Sequence, residues 1–133
     1  MLNNRRFSPA AQRFAERRRR ENDAPRLSDE VPELKSLRLE IEEQAAGAAS
    51  QPKHIRRVVV DNAPALFLVP CGDPRCTDGE HDVTRVVMQA LRARETKFTG
   101  SDECRGSVGT SACPRVLHFE AIAEYGDARP ATR

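Results

Sequence analysis

The chain has 133 residues, 32% of them charged and 38% hydrophobic, with one Tyr and no Trp. That leaves room for one domain and a tail, with a small core of the size that often needs a metal or disulfides to hold it. The net charge of +2 hides an asymmetry: residues 1–20 hold seven arginines against Glu16, a local +6, which leaves −4 on the rest. A basic arm on a mildly acidic body points the arm at anionic partners and excludes a domain that is basic throughout.

The longest apolar run, Ala63 to Pro70, is far below the ~20 residues that span a bilayer, so no membrane helix is expected. The N-terminus lacks the apolar stretch of a secretory signal, and its single serine argues against a mitochondrial presequence. A cytoplasmic origin is therefore expected, and with it reduced thiols.

In chain order, Ser8-Pro9 is a helix start, with serine as N-cap and proline at the first helical position. Phe7, Ala10, Ala11 and Phe14 follow helical spacing, with arginines mostly on the other side, so Pro9 to about Glu21 reads as a thinly amphipathic helix. Asn22 to Pro32, with its two prolines, reads as a linker. Leu37, Leu39 and Ile41 then alternate with Arg38, Glu40 and Glu42, the period of a half-buried strand. Ala45 to Pro52 is a small-residue loop. A second strand is expected around Val58-Val59-Val60 and a third at Ala65 to Val69, paired as a hairpin across Asp61-Asn62-Ala63-Pro64. Asp82 can cap a helix from Val83 whose buried face is Val83, Val86, Val87, Ala90 and Leu91. Lys97 to Thr99 is a short strand. Arg115 to Tyr125 is a long one, with Leu117, Phe119, Ala121, Ala123 and Tyr125 on one face and His118 on the other. Residues after Gly126 read as a frayed tail.

The four cysteines fall in two pairs within the stretch richest in Gly, Pro and Asp. Cys71 and Cys76 have the C-x4-C spacing, bracketing Gly72-Asp73-Pro74-Arg75; Cys104 and Cys113 are C-x8-C, with Gly106 and Gly109 between them. The first spacing is that of a zinc pair, and thiolate quartets are tetrahedral zinc cages. The 27 residues between the pairs let the Val83 helix cross the sheet and return. This organisation loosely resembles a zinc ribbon, from which it departs in lacking tight C-x2-C knuckles. One zinc held by Cys71, Cys76, Cys104 and Cys113 is expected, with His81 as the possible substitute for one thiolate. The competing reading is buried thiols or disulfides, which an exported chain would favour. For His81 the competing reading, and the preferred one, is a residue at the start of the helix making a hydrogen bond.

Asp73, Asp78, Glu80 and Asp82 with His81 form an acidic cluster fit for acid–base work. However, turns and helix starts attract aspartate for structural reasons, and no nucleophile elbow, phosphate loop or H-E-x-x-H motif occurs. A non-enzymatic module with no evident small-molecule substrate is expected.

The expected architecture is α+β: an antiparallel sheet of four to five strands packed on one helix, with the cysteine site at one sheet end and a separate N-terminal basic helix. Residues 1–32 are arm and linker, 33–126 the compact domain, 127–133 the tail. The expected function is a zinc-stabilised adaptor contacting nucleic acid, or a ribonucleoprotein or transcription assembly, through Arg5, Arg6, Arg13, Arg17, Arg18, Arg19 and Arg20 with Phe7 and Phe14. The alternatives are a protein-binding subunit docking through the Phe7/Phe14 stripe and a thiol redox sensor.

Overall fold

The structure, a computed structural model, describes residues 9–44, 54–73 and 75–126. Arg5, Arg6, Phe7, the Ser8 cap, the 45–52 loop and the 127–133 tail lie outside the described residues. The elements are α1 (Pro9–Asp23), α2 (Leu27–Glu30), β1 (Leu34–Gln44), β2 (His54–Val58), β3 (Leu68–Pro70), β4 (Glu80–Asp82), α3 (Thr84–Arg92), β5 (Lys97–Glu103), β6 (Ser107–Val108), β7 (Ser111–Ala112) and β8 (Val116–Tyr125). The fold is α+β. Its main sheet has four strands, all antiparallel, in the order β2-β1-β8-β5, and two two-stranded ribbons, β3-β4 and β6-β7, stand apart from it.

Period-2 alternation builds the core face. Leu37, Leu39 and Ile41 on β1 lie opposite Ala123, Ala121 and Phe119 on β8, and all six are buried. Phe98 of β5 meets the Phe119 ring edge to face, with centroids 6.2 Å apart. Leu117 is fully buried in the same row, a burial that contributes about 1.5–3 kcal/mol. As the alternation requires, His118 points the other way and is exposed.

Helix α3 covers this face with Val87, Met88, Ala90 and Leu91. The Asp82 carboxylate accepts the Thr84 N–H at 3.0 Å, but the helix starts one residue later than expected and its N-cap position is Val83, which makes no side-chain cap bond. The helix is rotated from the expected register: Val86 is 36% exposed and Met88 takes an inner place, while Val83, buried, lies just before the first turn.

Two expectations fail. Asn22 to Pro32 is not a linker: Leu27, on the one-turn helix α2, and Val31, just after it, are buried in the core. Arg26 fastens this segment, donating to the carbonyls of Glu21, Ala24 and Asn62 and so satisfying the end of α1. Nor do β2 and β3 form a hairpin. Among the described residues β2 pairs only with β1, and β3 pairs with β4. The intervening chain is tied to the α1–α2 junction instead, by Leu27 N–H to Ala63 O and Ala65 N–H to Pro25 O. Pro64, with no N–H, cannot extend a ladder there.

Candidate metal centre

Each cysteine pair sits where two antiparallel strands stop pairing. Cys71 directly follows β3, and its N–H reaches Gly79 O; Cys76 lies ahead of β4. Between them the Asp73 carboxylate accepts the Arg75 N–H at 2.9 Å and the Asp73 carbonyl accepts the Cys76 N–H at 3.0 Å, which closes the turn. Cys104 directly follows β5 and donates its N–H to Arg115 O, just before β8. The small β6-β7 hairpin brings Cys113 back, its N–H bonded to Gly106 O. Thr77 and Ser107 exchange both backbone hydrogen bonds, at 2.7 and 3.1 Å, and this stitches the two cysteine loops together.

The result is convergence. One sulfur from each of the four cysteines lies within 4.8 Å of all the others, and Cys71–Cys113 and Cys76–Cys104 are 3.9 and 3.6 Å apart. A tetrahedral zinc with Zn–S bonds of ~2.3 Å spaces its sulfurs by about 3.8 Å. The four are free thiols, three of them buried and Cys71 partly exposed. The arrangement is that of a possible metal site.

Its packing leaves no slack. A β-carbon on Gly79 would lie 2.4 Å from Cys76 Sγ, and one on Gly106 would lie 2.5 Å from the same sulfur. Only glycine lets the two loops approach the sulfurs this closely. The first cysteine of each pair also receives a backbone N–H from two residues on: Asp73 to Cys71 Sγ at 3.5 Å and Gly106 to Cys104 Sγ at 3.3 Å. Such donors stabilise negative sulfur and orient metal ligands.

Without a metal, burial pushes the Cys71 thiol well above its ordinary value, opposed by the Asp73 N–H and reinforced by the Glu43 charge. Burial and sulfur contacts push Cys76 up to about 12. Cys104 shifts the other way: burial would raise it, but the Gly106 N–H and the neighbouring thiols together hold it low. A cation bound here would displace the protons that the thiols still carry.

Beneath the sulfurs lies a polar shell that the sequence reading missed. The inner row of β1 runs Leu37, Leu39, Ile41 and then Glu43, which is also buried. Glu43 accepts hydrogen bonds from Gly72 N–H at 3.0 Å and Arg115 at 2.9 Å, and lies 2.6 Å from His81 Nε2. Arg115 precedes β8 on the row of Leu117 and also faces Asp73, 3.9 Å away. Arg75, through its side chain and its N–H, holds the Asp73 carboxyl below its usual value. The alternation that marked Ile41 as inward marks Glu43 as inward too; its charge disguised it.

His81 is fully buried, with Nδ1 3.1 Å from the Asp102 carbonyl and Nε2 on Glu43. A carbonyl only accepts, so Nδ1 carries a proton. The side chain stands beside the sulfur quartet: its close group is Glu43 and Cys71, not all four cysteines.

Helix α1 meets this end of the molecule through its arginines. Arg13 pairs with Asp78 at 3.8 Å, and Arg17 and Arg20 pair with Glu80 at 3.8 and 3.0 Å. Arg19 pairs within the helix with Glu16. Phe14, 55% exposed, faces outward, with the guanidiniums of Arg17 and Arg18 about 6 Å from its ring centroid. An amphipathic helix ordinarily buries its apolar edge; α1 turns charge inward because its facing residues, Asp78 and Glu80, are carboxylates. No helix among the described residues is long and apolar enough to cross a membrane. No protein-family model, curated protein or solved structure matches this chain.

Proposed function

We propose that this chain is a zinc-stabilised, non-catalytic binding module that meets an anionic macromolecule, nucleic acid or an assembly containing it, at the end formed by α1 and the cysteine loops. The observation that carries this reading is the convergence of four sulfurs within 4.8 Å. All-sulfur donor sets select soft or borderline cations, and zinc prefers four such ligands tetrahedrally. A site whose four positions are all cysteine has no place for a substrate or an activated water, which is the mark of a structural centre. A reducing compartment keeps the thiols available.

The charge distribution supports the choice of partner. Arg13, Arg17, Arg18, Arg19, Arg20 and Arg75 gather around α1 and the first cysteine loop. On the open sheet face, by contrast, Glu40, Glu42 and Glu120 line a hollow of about 380 Å³, a surface that repels phosphate. Arg18 stacked on exposed Phe14 offers a guanidinium and a ring edge together, suited to a sugar–phosphate backbone.

Two measurements test the reading. Native mass spectrometry of the reduced protein should show one zinc per chain. Binding to an oligonucleotide duplex should weaken with salt at a log–log slope of roughly −0.9 per phosphate contact. The exposed ring favours a second reading, a protein groove that takes Phe14. In that case Phe14→Ala abolishes binding and salt matters little.

A further inference from the structure

Cys71 differs from its three partners. Cys76, Cys104 and Cys113 are 6, 7 and 6% exposed, whereas Cys71 is partly open. It lines, with Arg13, Arg17, Pro70, Asp73 and Gly79, a cavity of about 290 Å³ that also reaches Cys76. That volume admits a molecule the size of a peroxide, since a water occupies roughly 30 Å³ of liquid. Ligation to a cation would hold Cys71 as a thiolate, and of the four it is the one that a small oxidant can reach. The sulfur in contact with Cys71 is Cys113, at 3.9 Å, on the other loop. Cys76 is turned towards Cys104, at 3.6 Å, and is boxed in by Gly79 and Gly106.

From this geometry we infer that the centre is a peroxide-sensitive switch in which Cys71 is oxidised first and Cys113 resolves it. The Cys71 thiolate attacks one peroxide oxygen; the O–O bond breaks, hydroxide leaves, and Cys71 becomes a sulfenic acid. The Cys113 thiolate then attacks that sulfur; the S–O bond breaks and a second hydroxide leaves. Sulfur loses two electrons, hydrogen peroxide gains them, and solvent protons turn both hydroxides into water. The cation changes no oxidation state. Left with Cys76 and Cys104 alone, it is held by half its ligands and departs. The resulting cross-link joins the end of β3 to the start of β8, across the two loops and not within either. The metal-release step and the order of oxidation rest on the zinc reading, since ligation is what holds Cys71 as a thiolate; the pairing rests on the 3.9 Å contact with Cys113.

The test is one equivalent of hydrogen peroxide added to full-length protein, with zinc release followed by a chromophoric chelator and disulfides mapped by peptide mass spectrometry. The expected result is a Cys71–Cys113 disulfide as the first product, with about one zinc released per peroxide consumed. A dimedone adduct trapped at the earliest times should lie on Cys71. In Cys113→Ser that adduct should persist, and should the variant fail to fold, the wild-type map and the wild-type trapping still decide. A first disulfide at 71–76, 104–113 or 76–104, or an adduct first on another cysteine, overturns the inference. So does zinc retained without any disulfide. Protein that carries no zinc overturns the metal reading, whereas a wrong first product on zinc-loaded protein overturns the switch alone.

Discussion

The sheet core and the cysteine end are held by different forces. Between β1, β5, β8 and α3 the contacts are apolar and non-directional: Leu37, Leu39, Leu91, Leu117 and Phe119 form one buried cluster with their neighbours. At the cysteine end the strands are two or three residues long. Such ribbons are marginal by themselves. What they pack around is a sulfur cluster and a charged shell of Glu43, His81, Arg115 and Asp73. Apolar area can hold a sheet of this size with or without a ligand. A pair of short loops around four sulfurs and a charged shell has little apolar area to hold it, and the sulfurs form a possible metal site. The contrast is between a region that folds because its residues avoid water and one built on polar contacts around a possible metal site.

The largest effect expected to separate the two regions is metal removal. A strong chelator should withdraw stabilisation on the order of 10 kcal/mol from the cysteine end. Amide exchange should then open residues 71–80 and 104–113 while the β1-β8 ladder stays protected. Loss of protection throughout would mean the two regions are one cooperative unit. In the other region, Phe119→Ala removes a buried ring that is 4% exposed and meets Phe98 edge on. It should cost about 3–5 kcal/mol in denaturant unfolding and leave zinc stoichiometry at one. Glu43→Gln keeps the shape of the shell but leaves Arg115 facing a neutral partner at 2.9 Å. A loss of about 2–3 kcal/mol is expected, with weaker metal retention, because the Gly72 N–H contact that orients the Cys71 loop loses its anion.

Acid should sharpen the contrast further. The folded, metal-free thiols of Cys71 and Cys76 hold their protons more tightly than ordinary thiols, and Cys104 holds its proton less tightly. Binding a cation releases the protons still present, so affinity rises with pH. Each proton displaced weakens binding about tenfold for every pH unit by which the pH is lowered. A competition titration at pH 6, 7 and 8 should show that slope, whereas the apolar sheet has no such term. The smallest effect is at the helix. Glu80→Gln removes the partner of Arg17 and Arg20, at 15 and 42% side-chain exposure, and should change stability by about 0.5 kcal/mol. It should also release those guanidiniums and tighten duplex binding. Unchanged binding would take Arg17 and Arg20 out of the interface.

The sheet was legible in the sequence wherever apolar and polar residues alternate strictly, as at Leu37 to Ile41 and Leu117 to Ala123. Legibility failed where alternation met a charge. Glu43 continues the inward row of β1, yet a glutamate on a strand reads as solvent-facing until Arg115 and His81 are known to lie opposite it. It failed also where prolines hid a buried turn, since Pro25 and Pro32 bracket a segment whose Leu27 and Val31 are core residues. The partnership of the four cysteines was legible from their number and their Gly-rich loops. The Thr77–Ser107 stitch that brings the loops together was not, because backbone pairing between short ribbons carries no side-chain signature. The facing of α1 was hidden for a similar reason. Helical spacing identifies the arginine side and the Phe14 side, but only Asp78 and Glu80, some 60 residues on, decide which one turns inward.

X-ray absorption at the zinc edge on protein purified under reducing conditions tests the central claim most directly. The account predicts a single shell of four sulfurs at ~2.3 Å with no nitrogen or oxygen scatterer. A shell containing a light atom at about 2.0–2.1 Å, or protein that binds no zinc when all four thiols are reduced, would contradict it.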